Sequence, residues 1–191
     1  MRRARLTGIC ISSTPPSFGH INTLPALAGS AASGGDEALG RSQGGFSTKL
    51  HLRAEGHGQP ITAVLTGGER HEQIALEAVL DQGAVPRRGR GRPRLRPRRV
   101  AGDKGYSSPT ARRRVRRRGI TPLIPTKSNQ RRQPTFDREA YRRRNLVERL
   151  INRLKQFRRI ATRYEKRAAN YLAMVTIGMI RLWLKPFADT T

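Results

Sequence analysis

From residue 46 to 54 the chain alternates apolar and polar positions (Phe-Ser-Thr-Lys-Leu-His-Leu-Arg-Ala), the period of a half-buried strand. A Gly-His-Gly-Gln-Pro turn follows, then a second β-rich run over residues 61–66, so the two predict a hairpin. Over residues 71–82 the period lengthens, placing Ile74, Ala75, Ala78 and Val79 on one side of a helix with Gly83 as its stop. Val100 opens a short strand that ends near Asp103. Residues 109–118 read as a short basic helix, 120–125 as another strand, 137–164 as one long basic helix, and 168–184 as an apolar helix carrying Leu172, Val175, Met179, Leu182 and Trp183. The series predicts an α/β fold, a mixed sheet with flanking helices.

Only the part after about residue 44 has the pattern of a core. Residues 1–43 combine Gly, Ala, Ser and Pro with little periodicity and are expected to lie loose, leaving 44–186 as the domain. Met1-Arg2-Arg3-Ala4-Arg5 begins like a signal peptide, but the apolar run from Leu6 to Ile11 is short and broken by Thr7 and Gly8, so secretion is not expected. A single cysteine, Cys10, excludes an intramolecular disulfide and a cysteine metal cluster, in keeping with a reducing cytoplasm. The final helix contains Asn170 and Arg181 and makes a poor membrane span; burial against the sheet is the expectation, and no membrane partner.

Charge narrows the partner. The chain has 39 Lys plus Arg against 13 Asp plus Glu, a net charge of +26, and such a balance attracts polyanions. A GC-rich coding sequence would also inflate arginine without selection for binding. Residues 87–99 hold eight arginines in thirteen positions, interrupted by Gly89, Gly91, Pro93 and Pro97. The expectation is a mobile loop, either a grip on DNA backbone without base readout or a basic linker. Arg112 to Arg118, with Arg131 and Arg132, form a second basic run expected to line the same side. With few aromatic residues, base stacking is not the main binding mode. His20, His51, His57 and His71 have no metal-ligand spacing and read as surface or turn residues.

Candidate chemistry sits in the long basic helix. At about 100° per residue, Tyr141, Arg144, Glu148 and Lys155 fall at roughly 0°, 300°, 340° and 320°, one narrow stripe. Leu150, Leu154, Phe157 and Ala161 cluster on the opposite side, at roughly 160° to 220°, the face a core would take. Glu148 therefore stands in a row of cations, which suits a metal ligand beside phosphate or, equally, a solvated face with ordinary ion pairs. Asp103 would stand where its strand stops, with Gly105 free to turn. A strand-end carboxylate plus a helix carboxylate supplies the oxygen ligands that hard divalent cations take; taken alone, an Asp before a Gly turn is a turn residue.

Together, Asp103-Lys104-Gly105-Tyr106 and the Y-x2-R-x3-E-x6-K spacing of Tyr141, Arg144, Glu148 and Lys155 resemble the catalytic half of the DDE transposases of bacterial insertion sequences. Gly44-Gly45-Phe46-Ser47-Thr48-Lys49-Leu50-His51 and Thr66-Gly67-Gly68-Glu69 resemble further blocks of that family, so the likeness covers about residues 36–185. The resemblance implies an RNase H-like fold and DNA transposition by metal-dependent strand cleavage and transfer. It implies Asp103 and Glu148 as catalytic ligands of a two-metal Mg²⁺ or Mn²⁺ site. Tyr141, Arg144 and Lys155, with Lys104, Arg98 and Arg99, would contact DNA. The implied partners are terminal inverted repeats and target DNA, with a homo-oligomer or a fusion to an upstream reading-frame product, in the bacterial cytoplasm at the nucleoid.

One part of the family pattern is absent. The family places a first aspartate on a strand upstream of the Gly-Gly-Phe-Ser-Thr-Lys block, yet residues 1–35 contain no acidic residue, and Ser12-Ser13-Thr14-Pro15-Pro16 occupies the region. Asp36 and Glu37 lie in a Gly/Ala/Ser-rich stretch without strand context. The resemblance begins abruptly at Gly35-Asp36-Glu37, which suggests that the segment through about Gly34 is read in a different frame, by programmed frameshifting or in a decayed copy. The sheet is then expected to lack its first strand, or to have it supplied by misread sequence. The alternatives are a non-catalytic basic nucleic-acid-binding protein and an inert gene remnant.

Overall fold

The computed structural model describes residues 2–12, 37–42, 45–86, 89–131 and 133–188. A mixed sheet forms from β1 (Arg2–Ser12), β2 (Gly40–Ser42), β3 (Gly45–Ala54), β4 (Pro60–Gly67), β5 (Arg99–Ala101), β6 (Thr121–Leu123) and β7 (Thr162–Arg163). The helices are α1 (Ala75–Asp81), α2 (Pro109–Arg117), α3 (Arg138–Arg142), α4 (Asn145–Lys155), α5 (Arg158–Ala161) and α6 (Ala168–Ala188). Strands run in the order β2-β3-β1-β5-β6, with β4 also on β3 and β7 on β1. β3 and β4 form the expected hairpin, paired from Thr48/Gly67 to Ala54/Pro60.

The first strand is where the structure departs most from the sequence reading. Arg2–Ser12 is not loose: it fills the centre of the sheet, parallel to β3 from the Arg3/Ser47 pair to the Cys10/Ala54 pair, and antiparallel to β5. It contains no Asp or Glu, so it brings no carboxylate to the sheet. Asp36, Gly44, His20, Arg87 and Arg132, and most of the segment through Gly34, lie outside the described residues.

Two cores cover the two faces. Leu50, Leu52, Ala54, Ala63, Ala101 and Leu123 pack against Val147, Leu150 and Leu154 of α4 and Tyr171, Val175, Met179 and Leu182 of α6. The neighbours in sequence point the other way: Val100 and Ile124 join Ala75, Leu76, Val79 and Leu80 of α1 and Ala111 and Val115 of α2. This is the period-2 rule of strands applied to a sheet covered on both sides. α6 is thus a core helix, as its apolar pattern predicts, and Trp183 donates to the Pro60 carbonyl at 2.7 Å. No helix among the described residues is long and apolar enough to cross a membrane.

The long basic helix expected over 137–164 is broken. Asp137 caps α3 by accepting from the Ala140 amide at 2.9 Å, a turn follows, and α4 ends where Phe157 adopts extended angles (φ −79°, ψ 106°). No Pro or Gly marks these breaks. Tertiary packing overrides helix propensity, since the chain must leave α4 to pair Thr162 and Arg163 with Arg3 and Arg2 of β1. Arg163 anchors that exit. It is buried, donates to Thr48 Oγ1 at 2.7 Å and to the carbonyls of Ala38, Glu165 and Lys166, and lies over the Tyr171 ring. Glu37 is a helix cap, accepting from the Ala168 amide at the start of α6 at 2.6 Å.

Candidate active site

β5 delivers Asp103. After Ala101 the chain stays paired through Gly102, whose amide donates to the Leu123 carbonyl at 3.2 Å, and then turns. The Asp103 side chain accepts from the Gly105 amide at 2.8 Å and so caps the single 3-10 turn Lys104–Tyr106. That turn buries Tyr106, whose hydroxyl lies 3.1 Å from His51 Nδ1.

α3 and α4 deliver the second half. Arg144, on the turn between them, pairs with Glu148 one helical turn on and stacks over the Tyr141 ring at 5.6 Å. The stripe read from the sequence survives the helix break at these three residues. Burial raises the Tyr141 hydroxyl above its ordinary range; Arg144 pulls it down by charge and hydrogen bond, while the charges of Asp103 and Glu148 push it up. Both carboxylates are thus near enough to bear on the Tyr141 hydroxyl. Burial likewise holds Asp103 above the usual carboxylate range. The Gly105 amide opposes that rise, the Glu72 charge adds to it, and Arg144 opposes it.

Glu72, which the sequence reading missed, belongs to the same cluster. A Cβ placed on Gly105 would stand 2.9 Å from Asp103 Oδ1 and 3.2 Å from a Glu72 oxygen, so the two carboxylates flank one glycine. Glu72 pairs with Lys49 at 3.1 Å, and Lys49 also donates to the Arg70 carbonyl. Burial would raise Glu72, but its own backbone amide and Lys49 more than offset that and hold it below the ordinary range. The available signal was the strand pattern itself. In a sheet covered on both faces, Lys49, His51 and Arg53 on the polar side of β3 must be buried and therefore partnered. His51 is accordingly no surface residue: its ring is bonded by Tyr106 on one side and by Thr66 Oγ1 at 2.8 Å on the other.

The remaining predicted site residues are not gathered here. Lys155 ends α4, exposed, about 10 Å along the axis from Glu148. Lys104 and Arg98 are exposed, and Arg99 pairs with Asp137 at 3.3 Å. α2 packs with α1, on the face of the sheet opposite α4. Arg112 is buried there, donating to the carbonyls of Ser107 and Pro125, both at 3.0 Å. Among the described residues no group of three His, Cys, Asp or Glu side chains is arranged to hold a metal ion.

Comparison with known proteins supplies what the geometry leaves open. The Transposase DDE domain family matches residues 31–183. The chain belongs to that family. Asp103 and Glu148 lie inside the span matched to the DDE transposases, and β1 lies outside it. A protein described as a candidate transposase for insertion sequence element IS402 of Burkholderia cepacia is 36% identical over 132 residues, 69% of this chain and 60% of that protein. A second, described likewise for element IS6501 of Brucella ovis, is 36% identical over 61 residues, 32% of this chain and 45% of that protein. The chain thus spans 60% and 45% of these relatives' lengths. No solved structure matches it.

Proposed function

We propose that this chain is the catalytic part of an insertion-sequence transposase, acting on DNA by metal-dependent strand cleavage and transfer on an RNase H-like sheet. The observation that carries the reading is the convergence of Asp103 at the end of β5 and Glu148 on α4 upon Tyr141 and Arg144. Membership of the DDE family supports it.

Carboxylate oxygens fit a hard divalent cation, and Asp103 and Glu148 are the residues that would hold Mg²⁺ or Mn²⁺. The bound ions would supply a lowered pKa for an attacking water or 3′ hydroxyl and charge stabilisation for the leaving oxygen. The chain's own groups do the rest. Arg144 would present its guanidinium to a phosphate, the Tyr141 hydroxyl would offer a hydrogen bond beside it, and Lys104, Lys155, Arg98 and Arg99 would add backbone contacts.

The set is one carboxylate short, because Glu72, although beside Asp103, is engaged by Lys49 and does not make a third ligand among the described residues. Two ligands hold a metal weakly, and β1 brings none, which supports reading this chain as a partial or frameshifted product with little activity alone. The same shortage favours the second reading, a basic DNA-binding protein that does not cut.

The test is a duplex bearing the element's terminal repeat, incubated with the chain and Mn²⁺ or Mg²⁺, beside Glu148→Gln. Weak metal-dependent nicking that Glu148→Gln abolishes, with DNA affinity little changed, supports the catalytic reading. Binding with no nicking by either form supports the second, and robust cleavage by this chain alone overturns the proposed shortage.

A further inference from the structure

The arginine-rich segment expected to be mobile is held in place along residues 94–98. Arg94 and Val85 exchange both backbone hydrogen bonds, at 2.8 and 2.7 Å. Arg53, reaching out from β3, donates to the Leu95 carbonyl at 2.8 Å. The Thr121 amide donates to the Arg98 carbonyl at 3.0 Å, which joins the segment to the start of β5 and β6. Pro97 fixes its own backbone and pushes Arg96 toward an extended conformation.

The anchoring sorts the side chains. Leu95 is half-buried and Pro97 buried, while Arg94, Arg96 and Arg98 between and around them are exposed. None of the three has an acidic partner among the described residues, unlike Arg99, Arg114 and Arg118, which pair with Asp137, Glu77 and Asp81. Alternate positions of an extended chain stand about 6.6 Å apart. That is close to twice the roughly 3.4 Å axial step between phosphates of one strand of duplex DNA.

We infer that Arg94, Arg96 and Arg98 form a rigid comb that grips the backbone of duplex DNA without reading its sequence. Guanidinium groups on a backbone pinned at Arg94, Leu95 and Arg98 suit repeated phosphates. Leu95 and Pro97 between them are turned inward and carry no hydrogen-bonding group for a base edge. The comb lies at the opposite end of β5 from Asp103, so it holds duplex away from the reacting phosphate, and its partner is DNA of unconstrained sequence. The inference rests on the DNA-acting reading above and adds where, and in what manner, duplex is held.

The experiment measures affinity against salt for the whole chain on a short duplex of arbitrary sequence and on one carrying the terminal repeat. The variants are R94Q/R96Q/R98Q and, as an equal loss of charge elsewhere, R113Q/R116Q/R117Q on the exposed side of α2. The slope of log affinity against log salt should fall by about 2 to 3 in the comb variant on both duplexes, because each phosphate contact contributes about 0.9. The α2 variant should lose distinctly less. An equal fall in both variants would assign the effect to net charge and overturn the comb. An unchanged slope in the comb variant would overturn the comb alone, leaving the Asp103–Glu148 reading to its own nicking assay. A chain that binds neither duplex would overturn both.

Discussion

Lys49 and Glu72 form an ion pair of 3.1 Å behind the Asp103 turn, joining a polar position of β3 to the 3-10 turn that precedes α1. Lys49 is buried, so its ammonium needs that carboxylate more than a surface lysine would. Glu72→Gln should lower stability at neutral pH by about 1 to 3 kcal/mol, the range between an exposed pair and a fully buried one. Lys49→Met combined with Glu72→Leu should recover much of the loss. Denaturant midpoints of the three forms provide the check; a double variant no better than Glu72→Gln would mean that the pair is not what holds this turn.

His51 gives the fold a pH dependence of definite sign. Burial lowers its pKa from 6.5 to about 4, Glu72 opposing that shift and Lys49 reinforcing it. The folded state thus keeps the ring neutral where the unfolded chain protonates it. Above pH 6.5 neither state binds the proton and nothing is gained or lost. As pH falls from 6.5 toward 4 the unfolded state takes it up first, costing about 3 kcal/mol by the lower end. Melting curves at pH 7.5 and pH 4.5 should differ accordingly, and His51→Gln should flatten the difference. A wild-type protein equally stable at both pH values would show that the ring is not buried neutral.

Arg53 extends the same logic to the arginine segment. Its guanidinium donates to the Leu80 and Gln82 carbonyls at the end of α1, at 3.4 and 2.6 Å, as well as to Leu95. Burial lowers its pKa to about 10, which still leaves it charged at neutral pH. Arg53→Ala would orphan helix-end carbonyls that the α1 terminus cannot satisfy itself. A loss of about 2 to 4 kcal/mol is expected. Tryptic cleavage after Arg94, the bond to Leu95 being open to the protease where the Arg96–Pro97 bond is not, should accelerate in the variant beyond what its lower global stability explains. Equal protection of that segment would mean that the Val85 and Thr121 backbone bonds hold it without Arg53.

Much of this was legible in the sequence, and the exceptions share a cause. The β3–β4 hairpin, the place of α1 with Gly83 at φ +75°, α2 and the buried face of α4 follow from local period and stop signals, but the face of α1 does not: Ile74 is exposed on the turn before the helix, and Leu76 and Leu80 are buried with Ala75 and Val79. The nearness of Asp103 to Tyr141, Arg144 and Glu148 does not follow from local period; only the family resemblance implied it. Even the two glycine-containing blocks meet, the Gly68 amide donating to the Ser47 carbonyl at 3.0 Å. What the pattern did not reveal depends on distant partners. Arg2–Ser12 has little periodicity of its own and becomes a strand because β3 and β5 each leave an edge to be paired. Glu72 looks like any acidic residue in a first turn until Lys49 is known to be buried. The breaks at Arg143–Arg144 and Phe157 carry no local marker and are imposed by the route the chain takes back to β1.

The composition of β1 leads to a last prediction, made on the gene rather than the protein. A central strand that supplies no carboxylate fits a DDE family poorly at the place where its first aspartate is expected, and the family match begins only at residue 31. If residues through about Gly34 are read from a displaced frame, translating the same nucleotides in a neighbouring frame should give an aspartate within a strand-like run. The corrected strand, fused to residues 35–191, should then complete the metal ligands and raise Mn²⁺-dependent nicking well above that of the chain as it stands. A slippery site at the junction would mark programmed frameshifting, and a plain insertion or deletion a decayed copy. Stop codons or unrelated residues in both other frames would sink the idea, and would make β1 as it stands the native centre of a sheet that carries only the two proposed carboxylate ligands.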